Sequence, residues 1–317
     1  MPAATDTSTP ARALQGVIPP LLTPLTAQGE LDVTSLERLI EHHIDGGVDA
    51  LFVLGSSGEV AFFEDEMREQ VLREAIRIID GRLPVLAGII DTQTRRVLQH
   101  LRRAEHRGAD AVVATAPFYA VTGPEEIENH FRAIAAATDL PVFAYDLPVS
   151  VHTKLDPAML LLLGREGVLT GVKDSSGDDV SFRRLLLMNA DAGTPLTLLT
   201  GHELVVDGIY LAGGHGSVPG LGNVDPAGYV RLDRAARVGD FEALRREQDR
   251  LARLFDIVFG VQGKTGPAQG VGAFKTALYL MGIFTTNTMA SPMTPLEGEN
   301  VDRVRAVLTE AGIGTTR

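Results

Sequence analysis

The chain has 317 residues, 44% hydrophobic and 22% charged, with 29 Lys and Arg against 41 Asp and Glu, a formal net charge of −12. This acidic balance, without any basic run, argues against nucleic acid or an anionic membrane as partner, and no apolar run approaches the roughly 20 residues of a membrane helix. Cysteine is absent, which excludes disulfides, zinc–thiolate sites and thiol catalysis and fits a reducing, cytoplasmic setting.

Residues 1–12 are small, polar and proline-containing; they lack the apolar segment of a signal peptide and read as a disordered lead-in. Beyond them, strand-like apolar runs alternate with amphipathic helix-like segments. Residues 17–25 are the first strand candidate, and a helix capped by Asp32 or Thr34 follows to about residue 46. A strand at 50–54 ends in Gly55-Ser56-Ser57-Gly58-Glu59 and leads to a helix over 64–80. Strand 84–90 precedes helix 92–107. Strand 111–116 ends in Pro117-Phe118-Tyr119 and precedes helix 124–138, where Pro124 occupies the first turn with glutamates behind it, as the helix dipole favours. Strand 141–145 runs into Asp146-Leu147-Pro148, and Asp156-Pro157 opens the next helix. Strand 169–173 precedes a helix from about Asp179, strand 196–200 a helix near Glu203, and strand 216–219 a helix from Pro226. Amphipathic segments at 241–259, 267–281 and 298–311 complete the chain.

Eight successive βα units imply right-handed crossovers and a parallel sheet. An open doubly wound sheet usually carries a glycine-rich turn after its first strand; here that strand ends in Leu22-Thr23-Pro24. The expectation is an α/β chain, a closed (β/α)8 TIM barrel over 13–237 with a C-terminal helical appendage over 238–317 packed on it. The C-terminal strand ends of such a barrel meet on one face. They bring together the Gly55–Gly58 turn, Tyr119, Tyr145-Asp146, Lys173, Gly201-His202-Glu203 and the 214–222 stretch.

Lys173 closes its strand, and a lysine confined there is a candidate nucleophile, since desolvation disfavours the ammonium. By itself such a lysine more often snorkels or pairs with a neighbour such as Asp174. The Ser56-Ser57 hydroxyls, with backbone N–H groups of the turn closed by Gly58, can hold a carboxylate without a full positive charge. Serine and glycine also favour such turns for conformational reasons alone. Tyr145 can move a proton if a cation or a hydroxyl relay brings its phenol toward neutral pH; alone, it also fits a half-buried aromatic with a satisfied hydroxyl. Asp146 is suited either to pairing with a cation or to the turn before Leu147-Pro148. The eight histidines show no metal-binding spacing, and neither Gly214-x-Gly216 nor Gly263-Lys264-Thr265 completes a dinucleotide or P-loop fingerprint.

Together, Gly55-Ser56-Ser57-Gly58-Glu59, Pro117-Phe118-Tyr119, Tyr145-Asp146-Leu147-Pro148, Gly171-Val172-Lys173-Asp174 and Gly213-Gly214-His215-Gly216-Ser217-Val218 resemble the pyruvate-dependent, Schiff-base class I aldolase family that includes N-acetylneuraminate lyase and dihydrodipicolinate synthase. The likeness spans about residues 14–312 with the motifs in family order. It implies an imine between Lys173 and pyruvate or another 2-oxo acid, with no cofactor or metal. It also implies Tyr145 as acid/base, Ser56 as proton relay, Ser57 and Gly58 at the carboxylate, and Val218 lining the site. Tyr119 matches a tyrosine that reaches a neighbouring subunit, which implies a homo-oligomer, a dimer of dimers.

Asp146 stands where the family usually has Asn and Ser56-Ser57 where it has Thr hydroxyls, both keeping polar function, and two further departures bear on the substrate. Dihydrodipicolinate synthases place an arginine two residues after the proline of the tyrosine motif, to hold the aldehyde's carboxylate; here that residue is Ser150, with His152 nearby. Neuraminate lyases show two acids after strand seven, where this chain has Glu203 followed by Leu204. Ser150, His152 and Glu203 are therefore the expected specificity residues. The expected reaction is aldol cleavage of a 2-oxo-3-deoxy sugar acid or a 4-hydroxy-2-oxo acid. Dihydrodipicolinate synthesis, 2-oxo-3-deoxy acid dehydration and a non-catalytic 2-oxo acid sensor are the alternatives.

Overall fold

The computed structural model describes residues 14–317; the lead-in expected at 1–12 lies outside the described residues. Eight parallel strands form the sheet: β1 (Gly16–Val17), β2 (Leu51–Val53), β3 (Val85–Gly88), β4 (Ala111–Thr115), β5 (Val142–Asp146), β6 (Gly171–Asp174), β7 (Thr197–Thr200) and β8 (Gly216–Ser217). From β2 to β8 each pairs with its neighbour in chain order, and β8 pairs with β1. Bonds from Asp49 N–H to Val17 C=O (2.9 Å), Phe52 N–H to Pro19 C=O (3.0 Å) and Leu21 N–H to Phe52 C=O (2.8 Å) join the first and second strand segments and close the barrel. The first strand is shorter than the sequence suggests because Pro19 and Pro20 have no N–H to give a ladder. Residues 18–25 keep only isolated bridges, Pro20 to Phe52 and Leu25 to Leu31.

The outer ring comprises α1 (Val33–Gly46), α2 (Asp65–Ile79), α3 (Thr94–Arg107), α4 (Pro124–Ala135), the short α5 (Pro148–Val151), α6 (Pro157–Arg165), α7 (Asp179–Asp191), α8 (Val206–Leu211) and α9 (Pro226–Val238). Local sequence starts many of them. Asp32, Asp156, Asp178 and Asp225 each accept the backbone N–H three residues on, satisfying a donor that the helix leaves free. The α5 turn is not evident from periodicity, and the helix expected near Glu203 begins only at Val206. The 241–259 segment is two helices, α10 (Phe241–Leu254) and α11 (Asp256–Phe259), followed by α12 (Gly266–Leu280) and α13 (Glu299–Glu310). α12 is buried on more than one face, as befits a helix clasped between the barrel and its last helices. No described helix is long and apolar enough to cross a membrane.

The barrel interior is filled by side chains. A Cβ on Gly171 would lie 2.3 Å from the Phe143 ring, so the ring of β5 occupies the space that a glycine leaves on β6. Two residues further along each strand, on the same face, stand Tyr145 and Lys173.

Candidate active site

Tyr145 and Lys173 are register partners across β5 and β6, and Thr115 is Tyr145's partner on β4. All three therefore stand at one level of the barrel. Lys173 is 5% exposed and Tyr145 4%. The Lys173 amine lies 4.0 Å from the centroid of the Tyr145 ring and 4.9 Å from that of Phe52, and the two rings meet edge to face. Gly201, just beyond β7, makes this possible. A Cβ there would fall 2.0 Å from Ser175 Oγ and 3.2 Å from Lys173 Cε.

Burial alone would raise the Tyr145 phenol. The Lys173 charge and hydrogen bonds with Ser56, Lys173 and Ser175 outweigh it and hold the phenol below its ordinary value. A phenol beside an amine and two hydroxyls has the partners that a proton carrier needs.

The Ser56-Ser57 pair sits in a tight turn after β2. Gly58 N–H donates to Gly55 C=O and Glu59 N–H to Ser56 C=O, both at 3.0 Å, and Thr23 Oγ1 donates to Gly58 C=O at 2.9 Å. Leu54 and Glu59, which flank the turn, both take φ of 61°, an uncommon conformation for non-glycine residues that surrounding contacts must hold. Glu59 is held from the C-terminal appendage: its carboxylate receives the N–H of Ala290, in the loop after Leu280, at 2.8 Å and pairs with Lys275. Neither carboxylate nor ammonium is exposed at all.

Beside Ser56 opens a cavity of about 180 Å³, with Leu147 and Ser150 on its wall. Ser150 thus stands with Ser56, whereas His152, exposed and with φ of 59°, lies outside that lining. Val218 is buried, its N–H donating to Thr200 C=O at 2.7 Å. Glu203 faces the β8 loop: its Oε1 accepts the Leu221 N–H at 2.5 Å. Burial pushes Glu203 up to about 7, against the Leu221 and Gly220 N–H groups and the Lys173 charge. Tyr119, by contrast, is 94% exposed with φ of 76° and meets none of this cluster.

Several residues of the site escape sequence reading. Ser175 lies two positions after Lys173 and so on the same strand face, a signal available from period two. Lys154 has no such signal. It reaches back from the loop after α5 to Asp146 and, at 3.2 Å, to Asp174, whose backbones are register partners. Asp146 Oδ1 also accepts the Leu155 N–H at 3.1 Å. The loop bearing Ser150 is thereby tied to the strand ends bearing Tyr145 and Lys173. Burial pushes Asp146 up to about 6, with Asp174 adding to it and Lys154 opposing. Burial pulls Lys154 down, but the two carboxylates outweigh it and hold the ammonium above its usual value.

Removing Lys154 raises the Asp146 pKa in the fold further. A carboxyl whose folded pKa exceeds its unfolded one binds more protons in the fold, so stability falls as pH rises through that window. Lys154→Met should therefore cost about 1–3 kcal/mol near pH 8 and less near pH 5, read from urea unfolding at the two pH values. An equal cost at both would show that the side chain acts through packing alone.

A closed parallel barrel with a buried lysine, a buried tyrosine and hydroxyls gathered at its C-terminal face fits an enzyme of the lyase and aldolase type. The chain belongs to the dihydrodipicolinate synthetase family, whose sequence profile matches residues 13–311. It is 30% identical over 301 residues to the 4-hydroxy-tetrahydrodipicolinate synthase of Thermotoga neapolitana, covering 94% of this chain and 99% of that one. To the enzyme of that name from Phenylobacterium zucineum it is 31% identical, covering 94% and 98%. Among solved structures, a dihydrodipicolinate synthase from Bacteroides thetaiotaomicron superposes with a TM-score of 0.88 at 34% identity over 94% of this chain and 99% of that one. YagE of E. coli K12, a prophage protein of the same family solved with pyruvate, superposes with a TM-score of 0.89 at 28% identity, covering 95% and 100%.

Proposed function

We propose that Lys173 attacks the 2-oxo carbon of a 2-oxo acid, loses water to form a protonated imine, and uses that imine as an electron sink. In the cleavage direction the C4 hydroxyl gives its proton to Tyr145 as the C3–C4 bond breaks, releasing an aldehyde and leaving an enamine on Lys173. The enamine takes a proton at C3, and water then hydrolyses the imine to pyruvate and free lysine. Ser56 relays protons to Tyr145, and Ser57 with the turn's N–H groups, close to Gly58 and Val218, holds the carboxylate. The lysine itself does the work of an electron-accepting cofactor in this reading. The observation that carries it is the buried Lys173 amine packed 4.0 Å from the centroid of the Tyr145 ring, its register partner on the neighbouring strand. The pyruvate complex of YagE supports the 2-oxo acid assignment.

The substrates we favour are 4-hydroxy-2-oxo acids or 2-oxo-3-deoxy sugar acids. The names of the relatives favour a second reading, condensation of pyruvate with aspartate semialdehyde. Against it stands Ser150, which offers no guanidinium for a second carboxylate. The exposed Tyr119, held with φ of 76°, supports a homo-oligomer in which it meets a second copy, although one relative is described as a monomeric variant.

Borohydride reduction in the presence of pyruvate tests the imine. Intact mass should rise by one reduced pyruvate, and peptide mapping should place the adduct on Lys173. No adduct, or an adduct elsewhere, would refute the assignment.

A further inference from the structure

The cavity beside Ser56 has walls that the proposed chemistry does not by itself demand. They are built from Val60, Ile90, Phe118, Leu147, Val151 and Pro267, and among the described residues no Lys, Arg or His lines it. Its single carboxylate, Glu59, is already held by Lys275 and the Ala290 N–H. The other polar groups are the hydroxyls of Ser56, Ser150 and Thr115. Thr115 Oγ1 is buried and has no hydrogen-bond partner among the described residues. Because Thr115 is Tyr145's register partner, this orphan hydroxyl stands at the level of the reacting amine and links the cavity to the site.

A carboxylate-bearing aldehyde would enter here with no cation among the described residues to meet it. A polyhydroxylated chain would shed water from each hydroxyl and find few partners, which opposes its burial. An apolar group of ring size suits the space, since a dry apolar cavity of about 150 Å³ holds benzene and this one measures about 180 Å³.

We propose that the acceptor is an uncharged aldehyde with a compact apolar substituent, phenyl or branched alkyl, seated in this cavity, and that the matching cleavage substrate is the 4-substituted 4-hydroxy-2-oxo acid. This rests on the Lys173 reading above and names its second substrate. In the condensation direction C3 of the enamine bonds to the aldehyde carbon. The aldehyde oxygen takes a proton from Tyr145, with Thr115 donating to it, and water frees the product from Lys173.

The test uses the full chain with pyruvate and, in turn, benzaldehyde, 2-methylpropanal, D-glyceraldehyde and aspartate semialdehyde, following product by chromatography. At least one apolar aldehyde should exceed both polar ones in kcat/KM by about 10–200-fold, the range that filling an apolar pocket provides. Ala61→Phe, at an exposed position on the cavity wall, should lower the benzaldehyde-to-glyceraldehyde ratio about tenfold by occupying the space. Ser150→Arg should shift preference toward aspartate semialdehyde. If pyruvate is trapped on Lys173 but a polar aldehyde is preferred, all four react alike, or Ala61→Phe leaves the ratio unchanged, the inference is overturned and the imine reading stands. If no pyruvate is trapped, both fall.

Discussion

Lys173→Ala should lower kcat/KM by on the order of 10⁵-fold or more, the scale seen when a covalent nucleophile is removed, with circular dichroism unchanged. Alanine leaves the Tyr145 and Phe52 rings in place but removes the amine that lies over them. Lys173→Arg should be as inactive, since a guanidinium cannot shed its proton to act as a nucleophile. Tyr145→Phe is the informative companion. It keeps the ring 4.0 Å from the amine and removes only the hydroxyl bonded to Ser56 and Ser175. Its kcat should fall by about 10²–10⁴-fold, the usual contribution of a positioned proton carrier, while borohydride still traps pyruvate and KM changes little. Measurable turnover in Lys173→Ala, or unimpaired kcat in Tyr145→Phe, would contradict the proposed roles.

The barrel was legible in the sequence because its signals are local and repeated. Strand-like runs recur at βα spacing, and four aspartates stand where the N-caps of barrel helices belong. Lys173, Tyr145 and Ser56 were legible for the same reason: each falls at a strand end, and closure of the barrel brings strand ends together. What the sequence hides depends on pairings across long separations or on side-chain reach. The short β1 follows from prolines that interrupt a ladder whose partner lies some two hundred residues away. Lys154 sits in a loop with no periodic pattern, and only the folded α5 turn brings it to Asp146 and Asp174. His152 and Ser150 are near neighbours in the chain, but only Ser150 lines the cavity. A backbone with φ of 59° at His152 is not visible from residue type.

Lys275 is the instructive case, for it carries a signal that motif reading passes over. It is a lone charge in the apolar stretch of α12, and in the structure it pairs with Glu59 where neither side chain is exposed. Burial pulls the ammonium down from its usual value, against the pull of Glu59, and Thr288 C=O accepts one of its protons at 2.9 Å. A buried pair adds little net stability compared with apolar residues, but removing one partner strands the other charge. Lys275→Met should therefore destabilise the chain by about 3–5 kcal/mol and lower Tm by roughly 5–10 °C. Glu59→Gln combined with Lys275→Met should recover much of that loss, because the stranded carboxylate is gone while an acceptor for the Ala290 N–H remains. The pair also bears on activity. Glu59 N–H closes the turn on Ser56 C=O, so its carboxylate anchors the segment that presents Ser56 to Tyr145. The double variant should regain Tm more fully than kcat, since the amide restores folding without restoring the ionic tie that fixes the turn. Thermal unfolding and kcat measured on the same two variants check this, and parallel recovery of both would show that the pair serves the fold alone.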